Sequence, residues 1–353
     1  MGPSDGYVVQ WAPEVGAYWG ARHALELGNT FAAAPGARPP RGLLPEGQWA
    51  GAVEEGWQVG PRTHQGRIVA TRAPGELAST VDSCRWSYTT RPVTGWGGTR
   101  AAEQRSTAGW AAALPVFEPH WQVCMSHGLA TGWVEWGGER FEFADAPAYA
   151  EKNWGGQFPE KWFWAQCNAF DGHPGLALTA GGGRRGLLGV PGLKEDVAMV
   201  GVHHEGRFYG VLPSDDGASV TWRVAPWGEW EVQAQSATAF VQLRATCAPG
   251  AGTLLRAPTA EGGMVPFCKD TFAGSVVLTV REVTEDGRFG RTVVDGARSD
   301  ACALEVGGGP WWEAWEAEAA MKEPLKSAVR LPVESLTAPL VPVVPWPLKP
   351  PGL

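Results

Sequence analysis

The chain lacks the close cysteine pairs that mark zinc fingers and redox-active sites. Its six cysteines lie at positions 84, 124, 167, 247, 268 and 302, so no two are closer than 21 residues. Zinc ligands and CxxC redox pairs are separated by only a few residues. We therefore predict free thiols in a reducing compartment, and the sequence assigns no metal ligand.

Clustered cations and long apolar runs are also missing. The net charge is −8 at pH 7, and no run of lysines or arginines interrupts the acidic background. Because the phosphate backbone binds clustered positive charge, we expect no nucleic-acid partner. No stretch approaches the 18 consecutive apolar residues of a membrane-spanning helix. The first residues, from Met1 to Gly6, show no pattern of a signal or transit peptide.

Tryptophan, glycine and proline are abundant, with 20, 48 and 29 copies in 353 residues. Short segments in which apolar and polar residues alternate are broken about every 8–12 residues by turn-forming residues, which is typical of all-β barrels and sandwiches. Glu205-Gly206 and Asp286-Gly287 fall between such segments and predict hairpin turns.

One segment departs from this pattern. Between Trp312 and Val329 alanine and glutamate dominate, and Trp312, Trp315 and Ala319 share one face of a helix. Because proline interrupts a helix, Pro324 predicts that this segment forms two short helices.

The composition changes near Asp145-Ala-Pro-Ala-Tyr, where the densest aromatic stretch begins. We therefore predict two domains, residues 1–147 and 148–353. The first contains few clear strands before Arg85, so we expect it to be incomplete at its start.

Two familiar motifs are weak. Gly181, Gly183 and Gly186 match G-x-G-x-x-G, but Leu187-Leu-Gly-Val-Pro-Gly follows where a dinucleotide fold needs a helix. The adjacent His203 and His204 would face opposite sides of a strand, so they cannot share a metal ion. A structural histidine and a catalytic base both remain open for His203, and equally for His120.

The richest segment lies around residues 149–168. Strand alternation puts Trp162, Trp164, Gln166 and Asn168 on one face, with Phe163, Ala165 and Cys167 on the other. In the preceding segment the same alternation puts Glu151 and Asn153 on one face and Lys152 and Trp154 on the other. Ligand pockets combine aromatic walls with a few polar groups, although a tryptophan-rich core would show the same pattern.

Motifs along nearly the whole chain resemble those of the tocopherol cyclases, plastid enzymes of vitamin E synthesis. They include Gly28-Asn-Thr-Phe, Thr90-Arg-Pro-Val, Phe117-Glu-Pro-His-Trp-Gln, Thr131-Gly-Trp-Val-Glu-Trp-Gly-Gly, Glu151-Lys-Asn-Trp-Gly-Gly, Lys161-Trp-Phe-Trp, Ala177-Leu-Thr-Ala-Gly-Gly-Gly, Pro226-Trp-Gly and Val306-Gly-Gly-Gly-Pro-Trp. The resemblance extends to carotenoid hydratases and implies two lipocalin-like antiparallel β-barrels. Together with the helical segment predicted between Trp312 and Val329, the expected fold is all-β with a short C-terminal helical segment.

Two features differ from the family. The early Gly-Trp-Tyr strand of its members is not found before Gly6, so we expect the first barrel to lack opening strands. Lys152 stands where the carotenoid hydratases have histidine before Asn-Trp-Gly, so residue roles cannot be copied from the hydratases.

The resemblance implies ring closure of a prenylated benzoquinol to the chromanol of a tocopherol, without cofactor or metal. This reaction needs an acid for the alkene, electron-rich walls for the cation and an acceptor for the phenol proton. The predicted acid is Glu151, followed by Asp171 and Glu160, while Asn153 and His203 would orient or deprotonate the phenol. The predicted substrate contacts are Trp154, Trp162, Trp164, Gln166 and Asn168.

Two other functions use the same features. A non-catalytic prenyl-lipid carrier would need the pocket but no carboxyl group. An alkene hydratase or isomerase would also protonate the alkene, but its cation would react with water or lose a proton. The resemblance also implies a plastid location, on plastoglobules or thylakoids, with peripheral lipid contact. The proline-broken tail from Leu340 to Trp346 either enters a lipid interface or packs on its own barrel.

Overall fold

A computed structural model describes most of the chain. The described residues are 30–33, 56–59, 62–69, 83–100, 103–107, 109, 119–136, 138–154, 158–186, 190, 192–259, 263–309 and 313–331. The tail from Leu340 to Trp346 and the side chain of Trp154 lie outside this description.

The described chain is built almost entirely from strands. In chain order these are β1 (Thr30–Ala33), β2 (Gly56–Val59), β3 (Thr63–Val69), β4 (Ser83–Thr94), β5 (His120–Trp136), β6 (Glu139–Trp154), β7 (Lys161–Cys167), β8 (Ala177–Gly186), β9 (Lys194–His204), β10 (Arg207–Val211), β11 (Ser219–Val224), β12 (Glu229–Gln235), β13 (Ala239–Thr246), β14 (Thr253–Thr259), β15 (Gly263–Val283), β16 (Phe289–Gly308) and β17 (Trp315–Ala319). One helix, α1, covers Leu325–Val329.

The strands form two antiparallel sheets. The first is a six-stranded meander in the order β1-β2-β3-β4-β5-β6. The second has eleven strands, with the path β10-β9-β8-β7-β16-β15-β13-β12-β11-β17 and β14 paired to β15. The predicted all-β fold of antiparallel sheets with a short C-terminal helix is confirmed.

Alternation of apolar and polar residues builds the core of the second sheet. In β12, Trp230, Val232 and Ala234 are buried while the residues between them are exposed. The Phe163 ring on β7 lies 5.5 Å from Trp222 on β11 and 6.2 Å from Trp315 on β17. Because these strands are distant along the sheet, their contact shows that the sheet curls around one interior, as in a lipocalin-like barrel.

The predicted hairpin turns form. Glu205 and Gly206 connect β9 to β10 with φ angles of 47° and 72°. This left-handed conformation is the one that a two-residue hairpin turn requires, and glycine adopts it without steric cost.

The prediction of two helices between Trp312 and Val329 is wrong in its first half. Trp315–Ala319 forms strand β17, which pairs with β11 and buries Trp315 and Ala319. The spacing of four residues that suggests a helical face also fits a strand, because positions 315 and 319 alternate to the same side. Only Leu325–Val329 is helical, and Trp312 lies outside the described residues. Among the described residues, no helix combines the length and apolarity needed to cross a bilayer.

The chain passes from one sheet to the other between β6 and β7. Strand β6 ends at Trp154 in the first sheet and β7 begins at Lys161 in the second. The proposed domain boundary at residue 147 stays a prediction, and this change of sheet lies beyond it.

The first sheet packs against the outer surface of β7, β8 and β9. The Trp121 ring of β5 lies against Gly181 of β8, where an added Cβ would be 3.1 Å from the ring. The Trp96 ring lies still closer to the position that an added Cβ would take at Gly201 of β9. The Asn168 amide donates a hydrogen bond to the Ala148 carbonyl at 2.7 Å and ties the two sheets together. This junction creates the cavity described below.

Candidate active site

The two faces of β7 have different surroundings. Phe163, Ala165 and Cys167 point into the core of the second sheet. Trp162 and Trp164 alternate to the other side and line a cavity between the sheets. The tryptophan face that strand alternation predicts therefore borders an open space, while its reverse face is solid packing.

The cavity has a volume of about 280 Å³. The first sheet contributes His120, Trp121, Glu151 and Asn153, and the second contributes Trp162, Trp164, Gly181, Met199 and Glu305. Apolar residues near the chain's C-terminal helix, Leu212, Met321 and Val329, complete the wall. Aromatic walls around a few polar groups are typical of a small-molecule site.

Glu151 is held by hydrogen-bond donors on three sides. Its Oε2 accepts hydrogen bonds from Trp121 Nε1 at 2.7 Å and the Tyr149 hydroxyl at 2.5 Å, and Oε1 accepts a weaker one from Asn153 Nδ2 at 3.4 Å. Burial raises the pKa of Glu151 above its ordinary value, although these donors oppose the shift. The structure thus brings the predicted Glu151 and Asn153 together in the cavity.

A second carboxyl group, Glu305, lies on the opposite wall. It is next to Trp164 in the ladder between β16 and β7, and its Oε1 accepts a hydrogen bond from the Trp162 indole. Burial raises the pKa of Glu305 to about 7, and the negative charge of Glu151 acts in the same direction. At neutral pH a substantial fraction of the molecules therefore keeps the proton on Glu305.

Asp270 lies behind Glu305. It is directly opposite Glu305 in the ladder between β15 and β16 and is 6% exposed. Its Oδ1 has no hydrogen-bond partner among the described residues. Burial and then the neighbouring charge of Glu305 raise the pKa of Asp270 to about 9, so its side chain is neutral at pH 7.

The indoles of the cavity are fixed by neighbouring rings. Trp164 packs against Tyr149 at 5.8 Å between centroids, and Trp162 meets Phe158 edge-on at 5.2 Å. The Trp164 Nε1 is buried and has no partner of normal geometry among the described residues. These rings form a rigid, electron-rich surface beside the two carboxyl groups.

The two predicted amides occupy different places. Gln166 is 7% exposed, and its side-chain nitrogen has no partner among the described residues. Asn168 donates to the Ala148 carbonyl and serves the junction of the sheets. Neither belongs to the residues that line the cavity, so their assignment as substrate contacts stays a prediction without geometric support.

The remaining candidates lie away from the cavity. His203 is buried against Trp96 and Phe208, and its Nε2 accepts a hydrogen bond from the Gly97 amide at 3.1 Å. Burial lowers the pKa of His203 to about 4, so the ring is neutral. Asp171 is exposed in the turn after β7, and exposed Glu160 pairs with Lys194 at 2.6 Å. The structure does not bring these three residues to the cavity.

The glycine-rich motif has a packing role. Gly181, Gly183 and Gly186 all lie within β8, and the next element among the described residues is strand β9, not a helix. An added Cβ at Gly181 would crowd Trp121, and one at Gly183 would crowd Pro159. Gly181 lets the first sheet approach the second closely, and Gly181 and Gly183 both line the cavity, so these two positions of the motif form part of its wall.

Sequence reasoning missed Glu305, Asp270 and Trp121. Glu305 is the one charged residue in the apolar segment Cys302-Ala-Leu-Glu-Val-Gly-Gly, and this isolated charge could have identified it as a candidate. A charged residue in a buried strand carries a large desolvation cost unless it is paired or functional. The sequence around Asp270 and Trp121 gives no such signal, because their roles depend on residues that are distant along the chain.

A family model and two similar proteins indicate the same protein family. Residues 1–308 match the family model described as tocopherol cyclase-like. The probable chloroplastic tocopherol cyclase of Oryza sativa subsp. japonica is 45% identical over 356 aligned positions, covering 100% of this chain and 73% of the relative. The chloroplastic tocopherol cyclase of Zea mays is 45% identical over 354 positions, covering 100% and 72%.

Solved structures show weaker likeness. The crystal structure of CghA with Sch210972 is 11% identical with a TM-score of 0.40, covering 72% of this chain and 70% of that one. A putative AttH from Nitrosomonas europaea is 16% identical with a TM-score of 0.36, covering 71% and 67%.

Proposed function

Because this chain belongs to the tocopherol cyclase-like family, we propose that it is an isomerase that closes the chromanol ring of a tocopherol from a phytyl-benzoquinol. The observation that supports this reaction is a cavity in which indole faces adjoin carboxyl groups with raised pKa values. No exchange of electrons with a cofactor is required, because the product is an isomer of the substrate.

The reaction consists of an alkene protonation and an internal ring closure. A carboxylic acid of the cavity protonates the prenyl double bond and leaves a tertiary cation. The faces of Trp162 and Trp164 stabilise this cation, with about 2 kcal/mol for each desolvated ring. The phenol oxygen attacks the cation and gives up its proton to a carboxylate.

Glu151 takes part in the proton transfers of this reaction, and Asn153 orients the Glu151 carboxyl group. The Asn153 amide contacts Oε1, the oxygen that is not occupied by Trp121 and Tyr149. Oε1 is therefore the oxygen available to exchange a proton with the substrate. Trp121 and Tyr149 hold the carboxyl group in place, which limits the reorganisation needed during the reaction.

Deuterium labelling tests the proposed reaction. The protein is incubated with a phytyl-benzoquinol in deuterated water, and the products are analysed by mass spectrometry and NMR. We expect a chromanol with one deuterium on the carbon beside the new ether carbon. A tertiary alcohol would identify a hydratase, and a bound but unchanged quinol would identify a carrier.

A matched pair of variants connects the reaction to the cavity. Glu151→Gln keeps the shape of the side chain but cannot exchange a proton, so we expect chromanol formation to stop while quinol binding persists. Glu231→Gln, on the exposed side of β12, should keep full activity. Full activity in Glu151→Gln would remove Glu151 from the mechanism.

We place the enzyme in the plastid, as the names of its chloroplastic relatives indicate. The finer location on plastoglobules or thylakoids remains part of our proposal. It is supported by exposed apolar residues next to elements that line the cavity: Leu193 is 45% exposed and precedes β9, which contributes Met199, and Leu331 is 56% exposed and follows α1, which contributes Val329. A long prenyl tail exceeds a cavity of about 280 Å³, so its end can stay in the lipid.

A further inference from the structure

The cavity holds two carboxyl groups on opposing walls. Glu151 comes from β6 of the first sheet and Glu305 from β16 of the second, and both line the same space. A cyclisation needs one group that gives a proton and another that receives one. The two walls together supply such a pair, so the question is which group has which role.

Hydrogen-bond donors distinguish the two carboxyl groups. Glu151 accepts hydrogen bonds from Trp121, Tyr149 and Asn153. Glu305 receives the Trp162 indole N–H and, more weakly, the Cys268 thiol. Because donors stabilise the ionised form, the setting of Glu151 favours a carboxylate and that of Glu305 favours an acid.

The charges around Glu305 also favour a protonated Glu305 beside an ionised Glu151. Among the described residues, the titratable groups that face it are Glu151 across the cavity and Asp270 and Cys268 on β15, and His120 of β5 lines the same cavity. Arg185, the cation that lines the cavity, is paired with Glu195 at 2.9 Å. Burial is the main cause that raises the pKa of Glu305 to about 7, and the charge of an ionised Glu151 acts in the same direction, so it helps to keep the proton on Glu305.

From this geometry we propose that Glu305 is the catalytic acid that protonates the substrate alkene and that Glu151 is the base that receives the phenol proton. This inference rests on the proposed function and deepens it by assigning the two halves of the proton transfer. The sequence predicts the opposite role for Glu151, because Glu305 becomes its partner only through the packing of the two sheets.

The proposed step balances in atoms and electrons. The Glu305 O–H bond breaks, and the alkene π electrons bind the proton at the carbon that carries one hydrogen. The neighbouring tertiary carbon is left with the positive charge, and a lone pair of the phenol oxygen forms the C–O bond. The phenol proton moves to the Glu151 carboxylate. Return of that proton to Glu305 through the cavity restores the starting state.

Deuterium entry separates the acid from the base. In Glu305→Gln no proton reaches the alkene, so we expect the quinol to be recovered without deuterium at the prenyl carbons and chromanol formation to fall by about 100-fold or more. In Glu151→Gln protonation persists but the phenol proton has no acceptor. We expect deuterium in recovered or isomerised quinol, with little chromanol. Glu231→Gln serves as the control.

The reverse pattern, in which Glu151→Gln blocks deuterium entry and Glu305→Gln permits it, would overturn the assignment. If wild type deuterates the alkene without closing the ring, the cyclase function fails, while loss of deuterium in Glu305→Gln still supports Glu305 as the acid. If wild type introduces no deuterium, both proposals are wrong.

A second measurement does not depend on the folding of Glu305→Gln. The rate of deuterium entry should fall with increasing pH as Glu305 ionises. In Glu151→Gln the negative charge that raises the pKa of Glu305 is gone, so this decrease should move to lower pH. A decrease at the same pH as in wild type, or at a higher pH, would contradict the assignment.

Discussion

At the scale of single residues, burial raises the pKa values of three carboxyl groups in and beside the cavity. Glu151, Glu305 and Asp270 all have raised pKa values, with desolvation as the first cause. A carboxyl group that keeps its proton near neutral pH is a usable acid, whereas an exposed one has already lost its proton. Desolvation therefore prepares the acid chemistry of this site.

The pKa of Asp270 predicts how stability changes with pH. The folded protein keeps Asp270 protonated up to about pH 9, whereas the unfolded chain ionises it near pH 4. The folded state therefore binds more protons in this range, and the free energy of unfolding falls as the pH rises. We expect Asp270→Asn to reduce this fall, by up to about 4 kcal/mol between pH 5 and pH 8.

Denaturant unfolding at both pH values measures the effect. The difference between Asp270→Asn and wild type should grow in favour of the variant as the pH rises. A difference that is the same at pH 5 and pH 8 would mean that Asp270 titrates normally in the folded protein.

The Trp164 ring should stabilise the transition state. Trp164→Leu keeps an apolar wall but removes the π face, and a loss of about 2 kcal/mol corresponds to a fall in kcat of about 30-fold. Because the ground state carries no cation, KM should change little. Trp164→Phe retains a smaller π face and should lose less. Steady-state kinetics decide the matter, and equal losses in both variants would assign Trp164 a purely steric role.

At the scale of elements, strand β8 shows how glycine positions the walls of the site. Gly181→Val places methyl groups where the Trp121 ring lies 3.1 Å from a Cβ. Overpacking of this kind costs about 1–3 kcal/mol, and displacement of Trp121 also removes a donor from Glu151. We expect lower stability and lower activity together.

Gly186→Val is the matched control for this strand. It lies on the same strand, and nothing is found within 4 Å of the position of its Cβ among the described residues. Its stability should differ from wild type by less than about 0.5 kcal/mol. Thermal unfolding of the two variants side by side tests the comparison, and equal destabilisation would show that glycine flexibility, not contact with Trp121, matters in β8.

Strand β17 shows why one element was mispredicted. An alanine- and glutamate-rich segment has helical propensity, but propensity is worth only a few tenths of a kcal/mol per residue. Pairing with β11 and burial of Trp315 against Phe163 and Trp222 are worth more. Tertiary packing therefore decides the conformation of Trp315–Ala319.

At the scale of the whole molecule, the exposed leucines beside β9 and α1 predict how the enzyme meets a lipid surface. Replacing Leu193 and Leu331 together with glutamate should reduce partition into neutral vesicles several-fold, since apolar contacts are lost. With a net charge of −8, wild type should bind anionic vesicles less than neutral ones.

Phe289→Glu is the control for the vesicle experiment. Phe289 is 51% exposed, but it lies at the start of β16, 16 residues before Glu305. Vesicle co-sedimentation should be unchanged in this variant. If Phe289→Glu reduces partition as much as the Leu193 and Leu331 replacement, binding would reflect general surface hydrophobicity.

The sequence alone determined the all-β class, the hairpin turns and the amphipathic face of β7, because strand alternation and turn chemistry are local properties. It also placed Glu151, Asn153, Trp162 and Trp164 close together, because these residues lie on neighbouring segments. The same reasoning selected His203 and Asp171, which resemble catalytic residues by type but lie elsewhere in space.

Only the tertiary structure decided that the cavity lies between the sheets and that Glu305 faces Glu151 across it. These two residues are separated by 154 positions in the chain. Their proximity depends on the pairing of β7 with β16 and on the approach of Trp121 to Gly181. A local pattern cannot encode such a contact, because a pKa depends on the burial and charge that the complete fold creates.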